Sequence, residues 1–237
     1  MKKAFLILIL IFLFKFSYCQ DTLYLDNNLK VTGKATATYL KVIKPVDKGF
    51  QVQEYTIDYR LLNLTTFQDK ALKTFNGPTT YYYDNGKKNF EGTYINNKRD
   101  GIWNFYFYSG SISATVKFND DQSIKEKYFT PTGQSLKDSI PTEHDPNYVG
   151  GIEAVYKYVS ANFIYPKELS KENIHGKIVV GFTISREGHV NDVHISKSLN
   201  EYLDKEAIRV ISQMPDWSPG VQFNRPVDVK YIIPLTF

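Results

Sequence analysis

Thiols are almost missing from this 237-residue chain: its one cysteine, Cys19, sits near the start. Once a leader ending at Cys19 is removed, neither a disulfide nor a thiolate metal site can form. The chain also lacks Gly-x-Ser-x-Gly, His-Glu-x-x-His, a P-loop and any paired-carboxylate motif. That leaves an enzyme no residue to rest on, so no catalytic activity, cofactor or metal is expected. His175, His189 and His194 match no helical ligand spacing and fall at turns or on a polar face, where they read as solvated. Gly150-Gly151 precedes a helix, but no Lys-Ser/Thr follows and no strand leads in. It reads as a helix entry and not as a phosphate cradle.

A strong excess of one charge is missing too. The formal charge of +4 includes Lys2, Lys3 and Lys15, and falls to +1 without them. A nucleic-acid partner thereby loses its electrostatic motive, and none is expected. Those lysines flank an apolar run, Ala4 to Phe14, followed by Ser17-Tyr18-Cys19, which reads as a secretory signal over 1–19. As a helix the run is about 16 Å long at ~1.5 Å per residue, against ~30 Å of hydrocarbon. Cleavage and export to the periplasm or cell envelope are the expectation. Membrane attachment would need a retained N-terminus or a lipidated Cys19, and Tyr18 is bulky where lipoprotein signals place a small residue.

What the chain does have is aromatics, eighteen Tyr and sixteen Phe, a composition that favours strands. Residues 20–74 alternate polar and apolar in short runs. Two strands are expected around Tyr39 and Val52, with Lys44 to Gly49 as the connecting turn region. An internal repeat follows: Tyr81-Tyr82-Tyr83-Asp84-Asn85-Gly86, then Phe105-Tyr106-Phe107-Tyr108-Ser109-Gly110, then Tyr128-Phe129-Thr130-Pro131-Thr132-Gly133. The glycines at 86, 110 and 133 are spaced by 24 and then 23 residues. Each unit reads as a hairpin whose turn glycine supplies positive φ, and Asp100-Gly101 reads as a further hairpin turn ahead of Trp103. Trp103 has the mass to anchor the stack, since such hairpins bury an aromatic face only against neighbours.

On Tyr83-Asp84-Asn85-Gly86, Asp100-Gly101-Ile102-Trp103 and Tyr106-Phe107-Tyr108-Ser109-Gly110, residues 80–133 resemble the MORN-like repeats of antitoxin-type and envelope proteins. The resemblance implies a scaffold or an interaction surface.

A polar, proline-punctuated stretch over 136–146 reads as a linker between a β-rich domain (20–135) and a C-terminal domain (147–237). In the latter, Ile152, Val155, Tyr156, Val159 and Phe163 form one helical stripe, and Leu203, Ala207, Val210, Ile211 and Met214 another. Lys205, Glu206 and Arg209 read as the wet face of the second helix. Ile178, Val180, Phe182 and Ile184 alternate as a strand, with a returning strand after Gly188. A last strand is expected over 227–237, following Trp217-Ser218-Pro219-Gly220. A helical crossover makes it parallel to the second strand, so an all-antiparallel sheet must place it beside the first. The expected fold class is α+β: an antiparallel three-stranded sheet in the order second–first–last with two helices on one face, preceded by an all-β hairpin-repeat domain. Pro234 agrees with an edge position for the last strand.

Tyr165-Pro166, Ile174-His175-Gly176-Lys177-Ile178, Glu187-Gly188-His189-Val190, Leu203-Asp204-Lys205-Glu206-Ala207 and Met214-Pro215-Asp216-Trp217-Ser218-Pro219-Gly220 make 146–237 similar to the TonB C-terminal domain. The resemblance implies a periplasmic module that grips an extended peptide of an outer-membrane TonB-dependent transporter by strand addition. A long Pro-rich spacer and a convincing retained anchor, both features of a full energy transducer, are lacking. The candidate peptide-binding residues are Val227, Val229, Lys230, Tyr231, Ile232 and Ile233, whose backbone would supply affinity. Tyr165, Pro166, Gly176, Gly188, Trp217, Pro219 and Gly220 carry the family motif. Tyr165, Pro166 and Trp217 suit either a groove or the commoner work of ending helices and filling cores. A second copy of the chain stands as another partner for the open edge, and a structural envelope scaffold using the aromatic repeats as a rival function.

Overall fold

The structure, a computed structural model, describes residues 20–136, 143–170, 172 and 174–237. The leader expected over 1–19 and most of the expected linker lie outside the described residues.

The first unit is one antiparallel ten-stranded sheet in which every strand pairs with its sequence neighbours. Its strands are β1 (Asp21–Leu25), β2 (Tyr39–Val46), β3 (Gly49–Thr56), β4 (Leu61–Phe67), β5 (Phe75–Tyr82), β6 (Lys88–Ile95), β7 (Lys98–Tyr106), β8 (Ile112–Asn119), β9 (Gln122–Phe129) and β10 (Ser135–Leu136). The glycine period is visible in its hydrogen bonds. Tyr83 N–H donates to Lys87 O at 2.8 Å and Gly86 N–H to Tyr83 O at 2.9 Å. The same two bonds recur for Phe107, Ser111 and Gly110, and again for Thr130, Gln134 and Gly133.

The opposite end of the sheet repeats as well. Phe75 N–H donates to the Asn97 side chain at 2.7 Å, and Arg99 N–H to Asp121 Oδ1 at 2.9 Å, with partners 22 residues apart in both pairs. Asn96-Asn97 and Asp120-Asp121 all have positive φ and form the tight turns there. Asn and Asp tolerate that region because their short polar side chains bond locally. Asp100-Gly101, expected as a turn, lies instead inside β7. Its glycine, at φ 71, sits where the β6–β7 register shifts, so its conformational freedom makes a bulge and not a hairpin. Between β2 and β3 the expected six-residue turn region contracts to Asp47-Lys48, and Pro45 pairs with Phe50 inside the ladder. Trp103 is 2% exposed among Phe90, Tyr94, Phe105 and Phe118, and its Nε1 donates to Thr93 O at 3.2 Å.

The second unit contains α1 (Gly151–Asn162), β11 (Lys177–Ile184), β12 (Val190–Lys197), α2 (Glu201–Ser212), β13 (Gly220–Gln222), β14 (Arg225–Val227) and β15 (Val229–Thr236). Its three-stranded sheet has the order β12-β11-β15, with both flanking pairs antiparallel. Ile178, Val180, Phe182 and Ile184 are buried, as is the α2 stripe of Leu203, Ala207, Val210, Ile211 and Met214. The α1 stripe is only half covered: Val155 and Val159 are buried, while Ile152 and Tyr156 stay exposed. Glu206 and Arg209 do more than meet water. Glu206 accepts the Ile164 N–H at 2.8 Å and Arg209 donates to Asn162 O at 2.8 Å, so α2 satisfies groups left open at the end of α1.

Gly188 explains its place in the motif. At φ 95, a Cβ there would stand 2.1 Å from Trp217 O. Trp217 N–H donates to Gly188 O at 2.9 Å, and Trp217 itself packs against Tyr148, Phe182 and Tyr231. Beside this tie, His189 is not simply solvated: its Nδ1 lies 2.7 Å from Asp216 Oδ1. The Asp216 hydrogen bond, then its charge, lifts His189 above the ordinary value of 6.5. A raised folded-state pKa makes the tie fully present below 6.5 and lost as pH rises through the folded midpoint. An NMR titration should give His189 a midpoint above 6.5 that falls back in Asp216→Asn. A midpoint already unshifted before that substitution would refute the pairing.

One departure from the expected organisation bears on both units. Residues 220–227 form a hairpin, β13–β14, whose turn Phe223-Asn224 has positive φ at both positions. The hairpin tip docks on the ten-stranded sheet. Phe223 stacks on Phe105 with centroids 3.8 Å apart and planes at 16°, and meets Phe118 edge-on. Asn224 donates to Phe129 O at 2.7 Å, and Phe223 N–H to Glu143 Oε1 at 2.9 Å. Nearby, Arg186 places its guanidinium 4.0 Å over the Tyr108 ring and contacts both carboxylate oxygens of Asp84 at 3.3 Å. The C-terminal unit therefore leans on the repeat sheet through an aromatic plug and a cation–π clamp.

Candidate functional site

The last strand starts two residues later than the alternation suggested. Val227 belongs to β14 and pairs with Gly220, while β15 begins at Val229. Along β15 the side chains alternate: Ile233 and Leu235 are buried and Val229 and Tyr231 half-buried, while Lys230, Ile232, Pro234 and Thr236 are exposed. Ile232 is 68% exposed.

The backbone alternates with the same period, and its phase can be read from one end. Gly176 and Phe237 exchange both backbone hydrogen bonds, at 3.1 and 3.0 Å. From there the β11–β15 register runs without a shift from Lys177↔Thr236 to Ile184↔Val229. Hydrogen-bonded and non-bonded pairs alternate in an antiparallel ladder, so Leu235, Ile233, Tyr231 and Val229 also aim their polar backbone groups at β11. Lys230, Ile232, Pro234 and Thr236 aim theirs outward. Among the described residues no backbone or side-chain group bonds to that outward rim. Pro234 stands at a position whose missing N–H costs the existing sheet nothing.

The other sheet edges are poorer templates. The β11–β12 pairing shifts register twice. β1 is short and partly covered by Val31 and Thr32, and β10 spans two residues. β15 offers a straight ladder edge of eight residues. Register shifts bend and twist a strand away from a partner, whereas a regular edge invites one.

A groove of about 570 Å³ opens beside the carboxyl end of this edge, lined by Tyr156, Val159, Phe163, Tyr165 and the backbone stretch from Pro234 to Phe237. Tyr165, 43% exposed, is the one motif residue lining this groove. Pro166 sits ahead of the 3-10 turn Lys167–Leu169, whose Leu169 is buried and pins the segment to the core. Gly176 closes the ladder with Phe237, while Gly220 packs against Val229 and Pro146. Trp217 is core, and Pro219 lies half-buried in the passage to β13. At the other end of the edge a cleft of about 470 Å³ is lined by Glu143, Asp145, Asp228, Val229 and Lys230. Asp228 Oδ1 accepts the Arg186 N–H at 2.7 Å, which ties the start of β15 to the β11–β12 turn.

Tyr156, Phe163 and the acidic residues of the cleft were not expected at this edge. Tyr156 and Phe163 read as helix stripe, which is true of their spacing and silent about their partial exposure. No helix among the described residues is long and apolar enough to cross a membrane.

Residues 161–237 match the family described as Gram-negative bacterial TonB protein C-terminal. The likeness to that family is confined to the C-terminal unit. Among solved structures the chain is similar to the NMR solution structure of the Helicobacter pylori TonB C-terminal domain. The identity is 23%, the match covers 36% of this chain and 90% of that one, and the TM-score is 0.30. So slight a likeness supports nothing further about this chain. A search among curated proteins gives no match.

Proposed function

We propose that this chain is a TonB-like protein of the periplasm or cell envelope that captures an extended peptide of an outer-membrane transporter by adding it as a strand to β15. One observation carries the reading: an unshifted, eight-residue edge whose outward backbone groups have no partner among the described residues. Main-chain bonds to such a rim give affinity largely independent of guest sequence, and flanking pockets give selectivity. The rival reading, a scaffold recognising a partner through the aromatic repeats, loses part of its surface to Phe223, which already covers Phe105.

The test titrates transporter N-terminal peptides against the full chain, with backbone amide shifts as the readout. Perturbation should concentrate on Lys230, Ile232 and Thr236 and spare the rim of β12. Two substitutions bracket the chemistry. Ile232→Pro removes an outward donor without touching the β11 ladder, so the fold should survive while binding drops at least about tenfold. Pro234→Ala adds a donor and should tighten binding severalfold, since one net hydrogen bond is worth ~0.5–1.5 kcal/mol. Peptide binding that ignores Ile232→Pro would sink strand addition at this edge.

A further inference from the structure

We infer that the guest of this edge is a bipolar peptide: a bulky apolar side chain at the Thr236 end and a cationic side chain at the Lys230 end. The inference rests on the strand-addition reading above and adds the chemistry that selects the guest. Its basis is that both pockets lie in line with one open rim and differ in character.

At the carboxyl end, the groove presents Tyr156, Phe163, Tyr165 and Phe237 beside the outward backbone of Pro234 and Thr236. Ile152 and Ile164 extend the exposed apolar surface along α1 and the turn after it. Apolar surface gathered around a concave site is the usual mark of a binding contact. A guest strand lying on β15 would bring a side chain to this groove, and an aromatic or branched aliphatic one would gain most from being covered.

At the amino end the same rim runs into the acidic cleft. Arg186 already engages Asp228 through its backbone N–H at 2.7 Å and, more distantly, its guanidinium at 3.7 Å. Glu143 Oε1 accepts the Phe223 backbone N–H, and Asp145 borders the cleft beside it. Against these carboxylates stand Lys230 and the shared Arg186. The balance is negative, which favours a cation and opposes an acidic side chain. Lys230 to Thr236 spans about 20 Å at ~3.3 Å per residue, so the two selected side chains should stand about six positions apart in the guest. That even separation also keeps both on one face of the added strand.

The experiment uses the full chain and fluorescein-labelled decapeptides of Ser, Thr and Gly carrying one Lys and one Phe six positions apart, in both orders. Fluorescence anisotropy should show one order binding, and replacing its Lys by Glu should weaken it about tenfold at low salt. Screening in about 0.5 M NaCl should shrink that gap. Asp145→Asn with Glu143→Gln should abolish the charge preference and leave the Phe preference intact; Tyr165→Ala should do the reverse. A peptide that binds equally well whatever its ends overturns this inference while leaving strand addition standing. If neither these probes nor transporter peptides bind, both fall. A full chain that is dimeric by analytical ultracentrifugation, and monomeric as Ile232→Pro, would assign the rim to a second copy and overturn the bipolar-peptide inference.

Discussion

Truncating Phe223 to alanine should split the unfolding of the full chain into two transitions. The ring packs on the Trp103 cluster from the C-terminal unit and so links two units with separate cores, one around Trp103 and the other around Phe182 and Val210. It lies 3.8 Å from Phe105 and nearly parallel to it. Removing a fully buried Phe costs ~3–5 kcal/mol, and a partly covered ring at a joint should cost about 2–3 kcal/mol, because part of its surface is already wet. Cooperativity between units depends on such interface energy, so losing most of it uncouples the melts. The neighbouring Arg225 supplies the contrast. It is 5% exposed and has no carboxylate partner among the described residues. Burial pushes its guanidinium below its ordinary value, against the pull of Tyr83. Its guanidinium lies 5.6 Å over Phe105, so it contributes packing, but the desolvated charge offsets much of that gain. Arg225→Met should therefore leave the midpoint near its starting value or raise it. Calorimetry of the two variants decides the matter: a single unshifted transition in Phe223→Ala would show that the hairpin tip does not hold the units together.

The same joint marks where the sequence stopped being readable. The buried faces of β11 and α2 could be read because a strand repeats every two residues and a helix every 3.6. Ile178, Val180, Phe182 and Ile184, and Leu203, Ala207, Val210 and Ile211, obey those periods without exception. The turn glycines could be read for a similar reason, since Gly86, Gly110 and Gly133 each close the same pair of backbone bonds. The β13–β14 hairpin gave no such signal. Its strands are three residues each and its turn, Phe223-Asn224, contains no glycine, so by alternation alone Val227 reads as part of the final strand. The large ring at the turn is the clue in hindsight: a Phe at a positive-φ turn position is strained unless its side chain is held by something. Asp100-Gly101 failed in the opposite way, because a glycine with positive φ serves a bulge as well as a turn and local sequence does not separate them.

For the candidate edge, pattern supplied which side chains face the core, and the sheet order followed from connectivity. What pattern could not supply is which backbone groups face outward, because that depends on the register set by Gly176 and Phe237, far apart in the chain. Of the residues that the sequence places on the edge, Lys230 and Ile232 turn their backbone to the open side, while Val229, Tyr231 and Ile233 turn theirs to β11. Pro234 and Thr236 complete the rim. The acidic cleft was hidden for a further reason, since Glu143 and Asp145 reach β15 only after the hairpin has brought 143–147 against it through the His144↔Val221 and Asn147↔Ser218 bridges.

Trp103→Ala should cost the repeat sheet about 3–5 kcal/mol, enough to unfold it or leave it marginal, given that whole domains are stable by only ~5–15 kcal/mol. Apart from the Phe223 ring at one corner, the aromatic face of this sheet is covered among the described residues by its own side chains. Trp103 does this by standing edge-on to Tyr94 and Phe118 while lying nearly parallel to Phe90 and Phe105. No smaller ring reaches all four neighbours, and the cavity left by alanine cannot close because strands on both sides hold the backbone apart. Trp103→Phe keeps part of that packing and loses the indole bond to Thr93 O, so it should cost distinctly less, about 1–2 kcal/mol. Hydrogen exchange gives the sharper readout. In Trp103→Ala combined with Phe223→Ala, which removes the joint, protection should fall across β6, β7 and β8 while β11 and α2 keep theirs, because the C-terminal core shares no buried residue with the Trp103 cluster. Equal loss of protection in both cores of that double variant would mean that contacts other than the Phe223 ring couple the units.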